Sequence, residues 1–208
     1  MRFGPSLLLA LAILPLRAQD KGPLPPESYF RGDARAIAES CAHRSGALQD
    51  RDGQTLAVLG RAYLLSGARE KADEAFARAK AKEPRDGETY RLVAYAWLRA
   101  GDRATALKNY ELMQAVDPSN KEAFRHAALD LMSAGLASEA DELMMRAWAM
   151  DTDEWRPMVE FGRAALKARH REIASKWFER AVRAKPDEEK LWAAIALAFA
   201  DTSSPSKL

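Results

Sequence analysis

Arg91 and Arg125 share one setting, each three residues after a glutamate (Glu88, Glu122); Arg61, Arg99 and Arg163 recur around them, and Tyr95 lies one helical turn from Arg91. A guanidinium is a planar fork of N–H donors that matches a carboxylate two bonds at a time. A row of such forks beside an aromatic ring therefore suits acidic side chains or the C-terminal carboxylate of an extended peptide. The same spacing also supports a plainer chemistry, because Glu and Arg three apart on a helix form ordinary pairs on a solvated face. His126 and Asp130, one turn apart, supply two metal ligands where a site needs more, so a surface pair is the simpler reading. His43 and His170 fall in other units. The chain has no Gly-rich phosphate loop, no H-E-x-x-H and no serine at a strand-to-helix elbow, so neither catalysis nor a cofactor is expected.

The elements that must carry these residues are set by a clock of 34 residues. Pro84 steps to Pro118, Thr152 and Pro186, while Gly67 steps to Gly101, Gly135 and Arg169. Leu56, Leu59, Gly60 and Tyr63 become Tyr90, Val93, Ala94 and Trp97, then Phe124, Ala127, Ala128 and Leu131, then Met158, Phe161, Gly162 and Ala165. A second set runs Ala72/Phe76, Ala106/Tyr110, Ala140/Met144 and Ala174/Phe178. Each set has helical spacing and makes one apolar stripe, with a small residue where two helices must approach closely. Glycine closes the first helix, proline ends the second, and Asp86 or Asn120 caps the next. Every unit is thus an antiparallel helix pair that cannot bury its apolar face alone, and stacking supplies the core.

On the quoted residues "LAVLGRAY", "ADEAF" and "EPRD", the chain resembles the tetratricopeptide-repeat family. The resemblance implies an all-α superhelix of four units, at 53–86, 87–120, 121–154 and 155–188. A capping helix and loop are expected at 33–52, starting at the N-cap Asp33 and stopping near Gly46, a C-terminal capping helix at 189–201, and a disordered tail at 202–208. Thr152, Met113 and Arg169 depart from the pattern locally. The family's first helices line a concave groove for a peptide or a partner's helix. Rotation about those helices turns four columns toward it: 54/88/122/156, 57/91/125/159, 61/95/129/163 and 65/99/133/167. Arg61, Arg91, Tyr95, Arg99, Arg125 and Arg163 are therefore the candidate binding residues. The paired Lys and Asn of the family's carboxylate-clamp subgroup are absent, Ala57, Arg61, Glu122 and His126 standing instead.

Nearly half the residues are hydrophobic and almost a third charged, with β-branched residues scarce, as in a folded helical protein. Residues 1–18 read as a secretory signal: Arg2, an apolar run from Leu7 to Leu16, and Ala18 before the cut. The run is too short to span a bilayer, and the Pro- and Gly-rich segment 19–32 reads as an extended lead-in. Loss of Arg2 and Arg17 with the signal brings the 32 basic residues down to the 30 acidic ones, which gives no support for nucleic acid or an anionic membrane as partner. Cys41, the sole cysteine, cannot form an internal disulfide; it reads as a small buried residue, with a thiol open to intermolecular pairing as the alternative. Most methionines, and Trp97 and Trp192, fall on packing positions; Trp148, Trp155 and Trp177 fit either packing or contact roles. The expected function is that of an exported, periplasmic or secreted, non-catalytic adaptor for a protein or acidic peptide. A self-associating module, exposed at its last helix, and a regulatory subunit of an envelope enzyme are the alternatives.

Overall fold

The computed structural model describes residues 52–203, with Asp33, Ala36, Ile37, Ala38 and Cys41 ahead of them. The signal, the lead-in, most of the N-terminal capping segment and residues 204–208 lie outside the described residues. Helices follow one another as α1 (Gly53–Ser66), α2 (Arg69–Lys82), α3 (Gly87–Arg99), α4 (Arg103–Val116), α5 (Lys121–Ser133), α6 (Ala137–Met150), α7 (Trp155–Lys167), α8 (Arg171–Ala184) and α9 (Glu189–Ser203). There is no strand among the described residues. None of these helices is long and apolar enough to cross a membrane.

Local chemistry explains where the first helices start and stop. The Asp52 carboxylate accepts from the Thr55 amide at 2.6 Å, Asp86 accepts from those of Glu88 and Thr89, and Asn120 accepts from that of Ala123, each satisfying N–H groups that a helix leaves unpaired. Three of the turns between paired helices place Gly67, Gly101 and Gly135 in the left-handed region, at φ 87°, 85° and 77°. Arg169 takes the same conformation at φ 66° in the fourth. An L side chain there costs about 1 kcal/mol, and the backbone still closes as elsewhere, His170 N–H donating to the Ala165 carbonyl at 2.8 Å. Where Thr152 stands in place of proline, Lys121 Nζ ties the joint together through Asp151 at 2.8 Å and Glu154 at 3.1 Å.

Packing makes an all-α helical-repeat solenoid. α1 lies on α2, α3 on α4, α5 on α6 and α7 on α8, and each first helix also touches the first helix of the next pair, with α9 against α7. Among the described residues no comparable backbone approach joins consecutive second helices. First helices therefore crowd the inside of the curve, while second helices splay along the outside and leave grooves between them. Small residues permit the close pairing: a methyl group on Gly60 would overlap the Phe76 ring, and one on Gly162 the Phe178 ring. Phe161 meets Trp177 edge-on within one unit with centroids 5.5 Å apart, while Phe76 meets Trp97 of the following unit at 5.8 Å and interlocks the two.

Two expectations about buried side chains are corrected. Trp192 stands where Leu56, Phe124 and Met158 are buried, yet it is 51% exposed, because among the described residues no second helix lies against α9 as α2, α6 and α8 lie against their partners. Cys41 is exposed; Ile37 and Ala38 take the half-buried side of its helix and leave the thiol in solvent. α9 also runs through Ser203, so Thr202 and Ser203 belong to it rather than to a disordered tail.

Candidate functional site

The arginines of the first helices occupy two different environments. Arg91, on α3, is only 11% exposed, and both edges of its guanidinium are taken. Glu88 accepts from its Nε at 2.8 Å and from a terminal nitrogen at 2.6 Å, and Asp130 of α5 accepts from the other at 2.5 Å. The Tyr110 hydroxyl of α4 donates to the same Asp130 oxygen at 3.3 Å. Burial pushes the Arg91 pKa down, but its bonds and charge attraction to Glu88 and Asp130 outweigh burial and hold it above its ordinary value. Burial pulls Glu88 up, yet His126 and Arg91 together hold it below the usual carboxylate range. For Asp130 burial prevails over Arg91 and leaves its carboxyl raised; burial raises the Tyr110 phenol too. A charge network of this kind, with both edges of the guanidinium engaged, ties three helices together and offers a ligand no free fork.

Arg125 is more open. It pairs with Glu122 on its own helix and with Glu160 of α7 at 3.4 Å, and its Nε is buried without a hydrogen-bond partner. Side by side with these pairs, Ala57 and Val159 of the same column are buried. The column 57/91/125/159 therefore lies largely in the seam between consecutive first helices, because those helices touch, and Arg125, 23% exposed, is its most open member. Rotation about a single helix could not show this, since the seam is made by the neighbour.

The next column does face outward. Arg61, Tyr95, Leu129 and Arg163 follow one another on α1, α3, α5 and α7, all half-buried. The Arg61 guanidinium lies over the Tyr95 ring at 5.3 Å. Arg163 has a buried, unpartnered Nε. Arg99 is exposed in the column beside them, with Leu65, Ser133 and Lys167 at the equivalent places. Among the described residues, Arg61, Arg99 and Arg163 make no ion pair.

His126 and Asp130 are drawn apart chemically: Asp130 is engaged by Arg91 and Tyr110, whereas His126 Nδ1 stands 3.7 Å from Glu88. No group of three or more His, Cys, Asp or Glu side chains placed to hold a metal occurs among the described residues. Sequence reasoning missed Asp130 as the counter-charge of Arg91. Its signal was a separation of 39 residues, one repeat and a little over one turn, which places a residue opposite Arg91 on the next first helix. No family model matches the chain, and no curated protein matches it in sequence.

Proposed function

We propose that this chain is an exported, non-catalytic tetratricopeptide-repeat adaptor that binds an acidic, partly apolar peptide segment across its concave first-helix face. The observation that carries the reading is the column Arg61, Tyr95, Leu129, Arg163: cations without carboxylate partners at both ends and two apolar surfaces between them. An extended segment with acidic residues flanking an apolar centre complements that order, and unneutralised arginine charge steers such a segment onto the face. Arg99 and Lys167 extend the positive rim, and Arg125 adds its partly satisfied fork. Arg91 serves the scaffold rather than the ligand. Export rests on the apolar run and cleavage site at residues 1–18, and the periplasm or the exterior is the corresponding location.

Fluorescence anisotropy with a labelled decapeptide, three aspartates on either side of four leucines, tests the proposal. Arg61→Glu with Arg163→Glu is expected to weaken binding at least tenfold without lowering the unfolding midpoint by more than a few degrees. Equal affinity of wild type and double variant sinks it.

A second reading, self-association, is favoured by one observation. Trp192 is 51% and Leu197 58% exposed on α9, and Ala193, Ala196 and Ala200 are exposed along the same side. An apolar face of this kind on a terminal helix matches a second copy packing where the next unit would stack. Sedimentation over a concentration range decides it: a monomer at every concentration removes this reading.

A further inference from the structure

Three grooves separate the second helices, and the repeat makes them directly comparable. Between α2 and α4, Lys80 reaches across and donates to Asn109 Oδ1 at 2.6 Å, with its ammonium 5.5 Å from the centre of the Tyr90 ring. Between α6 and α8, Arg180 fills the equivalent space, its guanidinium held between Trp148 and Trp177 at 5.2 and 4.7 Å from the ring centres. Each of these grooves is closed by a cation of the chain's own.

The middle groove, between α4 and α6, is open. Gln114 and Leu143 stand where the flanking grooves have Lys80 and Asn109 or Trp148 and Trp177. Arg146, the counterpart of Arg180, does not cross to α4; it turns along its own helix to Glu142 at 3.5 Å. What is left is a cleft of about 330 Å³ floored by Leu107, Tyr110, Leu131 and Leu143. Its charges are inverted as well. Glu111 and Glu139 line it where the equivalent positions one repeat on hold Met145 and Ile173, and neither glutamate has a cationic partner among the described residues. Glu142 stands at its mouth where Lys108 and Lys176 occupy the equivalent places.

We propose that the α4/α6 groove is a docking site for an arginine side chain of a partner protein, with its stem over the leucines and its guanidinium between Glu111 and Glu139. Two of the three grooves show what this space accepts: a long-stemmed cation over apolar or aromatic walls. The third supplies the walls and the counter-charges, its one lining cation, Arg146, being turned to Glu142 rather than to Glu111 or Glu139, and arginine matches carboxylates on both sides of a cleft better than the point charge of lysine does. The partner segment is basic and apolar, opposite in sign to the peptide proposed for the first-helix face, so this site does not rest on that proposal.

The probe is a labelled twelve-residue peptide with arginine at every fourth position among leucine and serine, titrated against the full chain by fluorescence anisotropy at low salt. A matched peptide carries citrulline, the neutral isostere of arginine. The arginine peptide is expected to bind at least tenfold more tightly than the citrulline peptide, and Glu111→Gln with Glu139→Gln is expected to erase that difference. Arg61→Ala with Arg163→Ala is expected to leave it intact. Gln114→Trp with Leu143→Trp, which rebuilds the walls around Arg180 for Arg146, is expected to close the groove and abolish binding while the helical circular dichroism is unchanged. Equal binding of the two peptides, or an undiminished preference in the glutamine variant, overturns the assignment. So does a concentration-dependent dimer lost in Glu111→Lys, which would put a second copy in the groove.

Discussion

Arg91 and Arg125 hold one position in two successive helix pairs, and each has a glutamate three residues before it, yet they do different work. Arg91 closes a network of Glu88, Asp130 and Tyr110, whereas Arg125 is 23% exposed, pairs with carboxylates more than half exposed or nearly so, and keeps a nitrogen without a partner. The cause is one residue on the neighbouring helix. Asp130 faces Arg91, and the residue one repeat further on is Ala164, so Arg125 reaches aside to Glu160. Repetition of a residue in a solenoid repeats its place in the fold, not its electrostatic environment.

The largest test of this contrast is Asp130→Ala. It strips one edge of a buried guanidinium and the acceptor of the Tyr110 hydroxyl, and a loss of about 3 kcal/mol in unfolding free energy is expected from urea titration. A loss below about 1 kcal/mol would mean that Arg91 is no more embedded than Arg125. Next in size is the difference between two alanine substitutions: Arg91→Ala is expected to cost about 3 kcal/mol, by leaving Asp130 buried and unpaired, and Arg125→Ala about 1 kcal/mol or less. Equal costs break the comparison. A smaller and opposite effect sharpens it. Ala164→Asp should draw Arg125 away from Glu160, raise stability by up to about 1 kcal/mol and lower affinity for the acidic peptide, read by denaturation and anisotropy on the same variant.

The smallest expected effect is on pH dependence. Glu88 titrates below the 4.5 of an ordinary glutamate, so its contribution to stability is present above that value and lost as pH falls through the depressed folded pKa. Asp130 titrates above 3.8, so its linkage has the opposite sign: stability is favoured below that value and the advantage is lost as pH rises through the raised folded pKa. Glu88→Gln should therefore flatten the decline of thermal midpoint below about pH 4.5. Glu122→Gln, beside Arg125, serves as the control and should leave more of that decline in place.

Much of the scaffold was legible in the residues. Asp86 and Asn120 cap helices because a short acceptor side chain before an apolar stripe has few other local uses. Gly60 and Gly162 could be read as close-approach points, and Phe76 and Phe178 are the rings that press on them. The candidate site was legible only in part. Arg61 and Tyr95 do come together. Arg91 was misplaced because its column turns outward on an isolated helix and is covered only by the helix that follows.

Local order was therefore the sequence's own determination: helix limits, the alternation of small and large packing residues, and the period of 34 that joins them. These depend on backbone hydrogen bonds and side-chain spacing within one or two turns, which a linear pattern records. Tertiary structure alone decided which arginines stay unpaired, which groove between second helices stays open, and that Trp192 lies in solvent. Each of those outcomes depends on what the neighbouring unit places opposite a given side chain, and helix crossing sets that across gaps of 29 to 39 residues.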